Sequence, residues 1–202
     1  MVSASEIFMG FSRYYNSLSI IWRESLSTHT GRILAYFDSL GRMLGYRIIS
    51  ETKMRNLVSC PKNLENKKID MMWWRFNEER KSEYELAVES QQSPDMDFIR
   101  NDIRKLVVLP AKLRVLYCCA KDRNKILKAI KEEIQQHEIN QCLFLAIIDP
   151  WVGSSGFDEG ILAGILLNEN GQIKGEGTAK VREIIDGLHR VRMFLEAEWQ
   201  EK

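Results

Sequence analysis

The chain has 202 residues, 45% of them hydrophobic and 28% charged, with a net charge of +1 at pH 7. That length supports one domain with a full core, and the balance excludes a disordered or fibrous protein and favours a soluble globular one. No apolar run has membrane-spanning length, and the overall charge carries no global sign of nucleic-acid binding, although residues 1–70 hold ten Lys/Arg against six Asp/Glu and so allow a basic surface there.

The N-terminus, Met-Val-Ser-Ala-Ser-Glu-Ile-Phe, lacks a basic segment followed by an apolar one, so no signal peptide is expected. Residues 5–25 read as a helix with Phe8, Phe11, Tyr15, Leu18 and Trp22 on one stripe, too apolar to be left in water. It should pack on the domain or on a second copy of the chain, which makes a homodimer one expected assembly. The run Ser27-Thr28-His29-Thr30 offers N-caps for a second helix through Ile33, Leu34, Phe37, Leu40, Met43 and Leu44, which Gly45 should end. Tyr46 to Glu51 reads as a short strand, and residues 52–67 as an irregular basic loop carrying Lys53 and Arg55.

The segments Ile69-Asp-Met-Met-Trp-Trp74 and Tyr84-Glu-Leu-Ala-Val-Glu-Ser-Gln91 read as a hairpin. Alternation puts Asp70, Met72 and Trp74 on one face, and Glu85, Ala87, Glu89 and Gln91 on one face of the second strand. With the turn centred on Glu79-Arg80, Asp70 falls opposite Glu89. Two facing carboxylates with Gln91 beside them form an oxygen-rich cluster that suits Mg²⁺. The alternative is an ordinary hairpin with a solvated polar face. Asp is depleted in strands, so Asp70 asks for a reason.

Ser93 is the candidate N-cap of the next helix, with Pro94 in its first turn and Phe98, Ile99, Ile103, Leu106 and Val107 apolar. Leu113–Cys119 reads as a strand, Asp122 opens an amphipathic helix through Ile134, and Cys142–Ile148 reads as a buried strand. Asp149-Pro150-Trp151 and Gly153-Ser-Ser-Gly156 follow as a loop, which lacks the lysine and helix pattern of a phosphate-binding loop. Ile161–Leu167 and Ile173 flank the turn signal Asn170-Gly171, and residues 178–200 read as a closing helix. Cys60, Cys118, Cys119 and Cys142 have no metal-finger spacing and read as free thiols of a reducing, cytoplasmic compartment. His29, His137 and His189 have no mutual spacing for a metal or a triad. The expectation is one α/β domain over residues 26–202, a mixed sheet with helices on both faces, and a helical extension at residues 1–25.

Asp70 on the second strand and Glu89-Ser90-Gln91 on the third, within a helix–strand–hairpin–helix–strand order over roughly residues 28–119, resemble the core of the PD-(D/E)xK, or restriction-endonuclease-like, nuclease superfamily. The resemblance implies a Mg²⁺- or Mn²⁺-dependent nuclease acting on DNA, with Asp70 and Glu89 as metal ligands and catalytic residues and Gln91 at the third motif position. The superfamily usually has Lys there. Gln91 can orient water but supplies no charge, so the substitution also fits a catalytically degenerate copy that binds DNA or protein. Glu51 matches an auxiliary acidic position of some members, and Lys105 could reach the cluster in place of the missing lysine. Lys53, Arg55 and Trp74 are the candidate nucleic-acid contacts, Trp74 by stacking on bases. A third reading is a nucleotide-binding or small-molecule-binding α/β protein that uses the 149–158 loop.

Overall fold

Structure is described for residues 2–19, 26–50, 69–137, 142–150, 159–186 and 189–202 in the computed structural model of the chain. Eight strands form one mixed sheet whose spatial order is the order of the sequence. They are β1 (Arg47–Ser50), β2 (Met71–Phe76), β3 (Ser82–Gln91), β4 (Ala111–Cys119), β5 (Leu143–Asp149), β6 (Glu159–Leu167), β7 (Ile173–Asp186) and β8 (His189–Glu201). The β3–β4 and β4–β5 pairs are parallel and all others antiparallel.

Parallel neighbours need a crossover connection. Two helices supply it, α3 (Met96–Val107) between β3 and β4, and α4 (Arg123–Gln136) between β4 and β5. Ile99, Ile103 and Leu106 of α3 join Ile126, Ala129 and Ile130 of α4 in a core on one face of the sheet. The other face is covered by α1 (Ala4–Ser19) and α2 (Leu26–Met43), whose Phe8, Phe11, Tyr15 and Phe37 form a second core with Trp73, Val115, Tyr117 and Leu145. The fold is therefore mixed α/β, with helices on both faces of the sheet, as the strand and helix patterns imply. No helix among the described residues is long and apolar enough to cross a membrane.

Residues 4–19 pack on the domain as a layer of its core, as their apolar stripe implies. Gly164 of β6 and Gly177 of β7 face each other across the sheet, and the Phe8 ring lies where a Cβ on either would stand. The missing side chains let α1 approach the sheet closely. Asn16 then mimics a strand edge: its Nδ2 donates to the Phe194 carbonyl and its Oδ1 accepts from the Phe194 N–H, both at 2.5 Å. Leu18 and Trp22, expected on the same stripe, lie outside the residues whose side chains are described.

Three local expectations are corrected. Residues 178–200, expected as a helix, form most of β7 and β8. Buried Gly175, Gly177, Ala179 and Val181 alternate with Lys174, Glu176, Thr178, Lys180 and Arg182, a period of two that a helix cannot use. The cap of α3 is Asp95, not Ser93: its Oδ1 accepts from the Asp97 N–H at 2.9 Å, which keeps the Pro94 ring outside the helix. Ser27–Thr30 lie inside α2 and do not cap it. Gly45 does end α2, at φ +80, and Asp122 does cap α4.

Candidate metal-binding site

The hairpin forms as the sequence implies, with a turn at Asn77–Lys81 between β2 and β3. Its register carries one irregularity. Phe76 pairs with Ser82 and Trp74 with Tyr84, but Trp73 pairs with Leu86, so Glu85 is an extra residue in β3. Without that bulge, Asp70 would fall opposite Val88, and Glu89 would point to the other face of the sheet. With it, Met71 pairs with Val88, and the next step puts Asp70 beside Glu89. A single residue of register decides whether the two carboxylates can meet. The bulge also turns Glu85 away from Ala87 and Glu89, contrary to the simple alternation. Glu85 instead meets Lys112 at 2.8 Å and Arg75 at 3.2 Å.

Asp70 sits just before β2 and is half-buried. Its Oδ2 accepts the Ser90 N–H at 2.7 Å, which fixes the carboxylate against β3. Glu89 is only 2% exposed. Burial, reinforced by the neighbouring charges of Asp70 and Asp102, pushes its pKa up to about 9, against the opposing pull of Lys105. Glu89 therefore holds its proton at neutral pH when no cation is bound.

The third carboxylate, Asp102, comes from α3 and is 4% exposed. Its Oδ1 accepts from Lys105 Nζ at 2.7 Å, and its Oδ2 accepts from Gln91 Nε2 at 3.0 Å. Lys105 lies farther from Glu89, at 3.4 and 3.5 Å from its two oxygens, as expected beside a carboxyl that keeps its proton. Burial works to lower the Lys105 pKa, but the effects that raise it, led by the hydrogen bond to the Asp102 carboxylate, outweigh burial. Gln91 is held at both ends of its amide, since its Oε1 accepts the Ser93 N–H at 2.9 Å.

The structure thus brings Asp70, Glu89, Gln91 and Lys105 into one cluster and adds Asp102. The only sequence signal for Asp102 was its place three residues before Lys105, one step from the core positions Ile99, Ile103 and Leu106. Trp74 lies on the same sheet face as Asp70, four residues along. Glu51, Lys53 and Arg55 lie outside the described residues, as do Cys60 and the 151–158 loop. Asp149 is fully buried on the opposite face, where its carboxylate accepts the Tyr117 hydroxyl. His137 ends α4 with Nε2 3.8 Å from Glu133 Oε2, far in sequence from the cluster.

Among the described residues no three His, Cys, Asp or Glu side chains close into a metal cage. Mg²⁺ does not require one, because it is usually held by one or two carboxylates and keeps several waters. Asp70 and Glu89 are the residues that would hold such an ion, the cation taking the place of the Glu89 proton. No protein-family model matches the chain, and no curated protein matches it.

Proposed function

We propose that the chain is a Mg²⁺- or Mn²⁺-dependent nuclease that hydrolyses DNA phosphodiester bonds, with Asp70 and Glu89 holding the cation. The observation that carries this reading is Glu89, a carboxyl buried beside Asp70 and Asp102 that keeps its proton to about pH 9. Displaced ionisation of this kind, with a specific charged partner, is a mark of functional sites. The order α2, β1, β2–β3, α3, β4 also agrees with the restriction-endonuclease-like core that the resemblance implies.

In the reaction, water adds across one P–O bond of the backbone, giving a phosphate monoester and a hydroxyl end. A divalent cation, when bound, would polarise the phosphoryl oxygens and lower the pKa of a coordinated water. Asp70 enters the site pre-oriented by the Ser90 N–H. Lys105, steadied by Asp102, supplies the positive charge that Gln91 lacks and stabilises the charge that grows on the phosphate. Gln91, pinned by Asp102 and the Ser93 N–H, is a fixed amide at the rim rather than a mobile one.

The second reading, a nuclease-like module without turnover, draws on the same distances. Lys105 is paired with Asp102 more closely than with Glu89, and Glu89 is neutral, so Lys105 and Asp102 offset each other without a cation. Digestion of supercoiled and linear DNA with Mg²⁺ and Mn²⁺ separates the two. Wild type is expected to cut, Asp70→Ala to be inactive, and Lys105→Ala to be slowed by roughly 10²-fold or more. Absence of cutting by wild type with either metal overturns the enzymatic reading in favour of the module.

A further inference from the structure

We propose that Arg47, Trp74 and Phe76 form a base-stacking platform, and that the nucleic acid this chain takes is single-stranded or frayed. The proposal deepens the nuclease reading above and rests on it for the link between platform and cleavage.

Arg47 of β1 pairs directly with Trp74 of β2, so their side chains share a face. Phe76, two residues on, shares it as well. The same face of β2 carries Met72, which packs into the core beneath α3, and Asp70. Trp74 is thus about 13 Å along the strand from Asp70 at some 3.3 Å per residue. The three side chains are already organised. The Arg47 guanidinium carbon lies 5.2 Å from the Trp74 ring centre and 5.1 Å from that of Phe76. The two rings meet edge to face at 5.1 Å. Phe76 is 50% exposed and Arg47 is exposed. The α3 helix packs against β3 and β4, beside this edge of the sheet.

Among the described residues no carboxylate pairs with Arg47. This contrasts with Arg75 on the opposite face, which meets both Glu83 and Glu85. A cation laid across two aromatic rings, with no carboxylate on it among the described residues, suits a ligand that offers both a flat ring and an anion. An unpaired nucleotide is such a ligand: its base stacks on the aromatic surface and its phosphate takes the guanidinium edge. In duplex DNA the base faces are stacked on each other, so a duplex offers this platform only its phosphates.

The test is binding of a fluorescein-labelled oligothymidylate of about twenty nucleotides, and of its duplex with oligoadenylate, to the full chain in EDTA, read by anisotropy. The single strand is expected to bind more tightly than the duplex. Trp74→Ala and Phe76→Ser should each weaken single-strand binding by roughly tenfold, with little change for the duplex. Arg47→Gln should weaken it and lower the salt dependence by about one counterion. Phe76, at the surface, can be changed without disturbing the core, so its variant keeps the test open if Trp74→Ala fails to fold. Equal affinity of wild type and Phe76→Ser for the single strand overturns the platform. So does a Phe76→Ser variant that changes only self-association on a sizing column, which would make the face a contact between copies. Platform-dependent binding without cleavage or Mn²⁺-dependent stabilisation would leave the platform standing and remove the nuclease. Cleavage that needs Asp70 but ignores Phe76 and Arg47 would do the reverse.

Discussion

Replacing Glu89 by Gln removes one ionisation from a nearly isosteric position, and its effect on stability follows from the displaced pKa. The unfolded chain releases the Glu89 proton near 4.5 and the folded chain near 9. Below 4.5 both states are protonated and the group has no effect. Between the two values the unfolded state is ionised and the folded state is not, so stability falls by about 1.4 kcal/mol per pH unit. Above 9 the loss is complete and constant. At pH 7 the accumulated loss is about 3 kcal/mol, and Gln does not incur it. Metal-free Glu89→Gln should therefore lie within about 1 kcal/mol of wild type near pH 5 and exceed it by about 3 kcal/mol at pH 7, or roughly 6–12 °C in Tm for a chain of this size. Urea unfolding followed by tryptophan fluorescence in EDTA at pH 5, 7 and 8.5 measures the difference, and other titrating groups cancel between the two proteins. A wild-type-to-variant difference that stays constant with pH would refute the reasoning. Adding Mn²⁺ should close most of that gap at pH 7. A cation that takes the place of the proton stabilises wild type by about 2.7 kcal/mol at a hundred times its Kd, while the variant gains little.

Asp102→Asn removes one of the charges that hold the Glu89 proton and frees Lys105 for Glu89, so the Glu89 pKa should fall. The pH at which the gap between the Asp102→Asn protein and its Glu89→Gln double variant stops growing in urea should then fall, and the gap at pH 8.5 should be smaller than in the wild-type background. Gln91→Lys places a second ammonium beside Asp102, and Mn²⁺-dependent DNA cleavage should rise if the chemistry lacks only charge; an unchanged rate in a folded variant would assign that role wholly to Lys105. Gly164→Ala drives a methyl group into the Phe8 ring and should cost about 1–3 kcal/mol in urea unfolding, with coupling to Phe8→Leu in a double-mutant cycle. A neutral Gly164→Ala would show that α1 does not rest on that glycine.

The pairing of Asp70 with Glu89 could be read from the sequence because two departures cancel. The turn is centred on Glu79 alone, which by itself would put Asp70 opposite Val88, and the bulge at Glu85 restores the count. Nothing in the local pattern marks that bulge, so the residue pair was legible while the reason for it was not. Asp102 was illegible for a different reason: its role depends on how α3 settles over the end of β3, a tertiary contact. In the last quarter of the chain the apolar stripe from Val181 to Leu195 satisfies a helical period, and that hid the stricter alternation of 173–182. The dipeptide Asp186-Gly187 between the two strands was an available hairpin signal. The layered arrangement was legible throughout, because β4 and β5 are apolar on both faces and must be covered twice.

The seat of Phe8 on Gly164 and Gly177, with Asn16 clasping Phe194, ties α1 to strands separated from it by most of the chain. During synthesis α1 precedes β6, β7 and β8 and cannot take its full seat until they have left the ribosome, although α2 and β4 can cover part of it sooner. Phe8, whose seat is Gly164 and Gly177, must wait for that part of the chain to be made. Closure of this loop is a late, entropically costly step, so folding should be slow for a domain of this size. A chain shortened before β8 would lose its clasp and present an unsheathed aromatic helix to every other hydrophobic surface nearby.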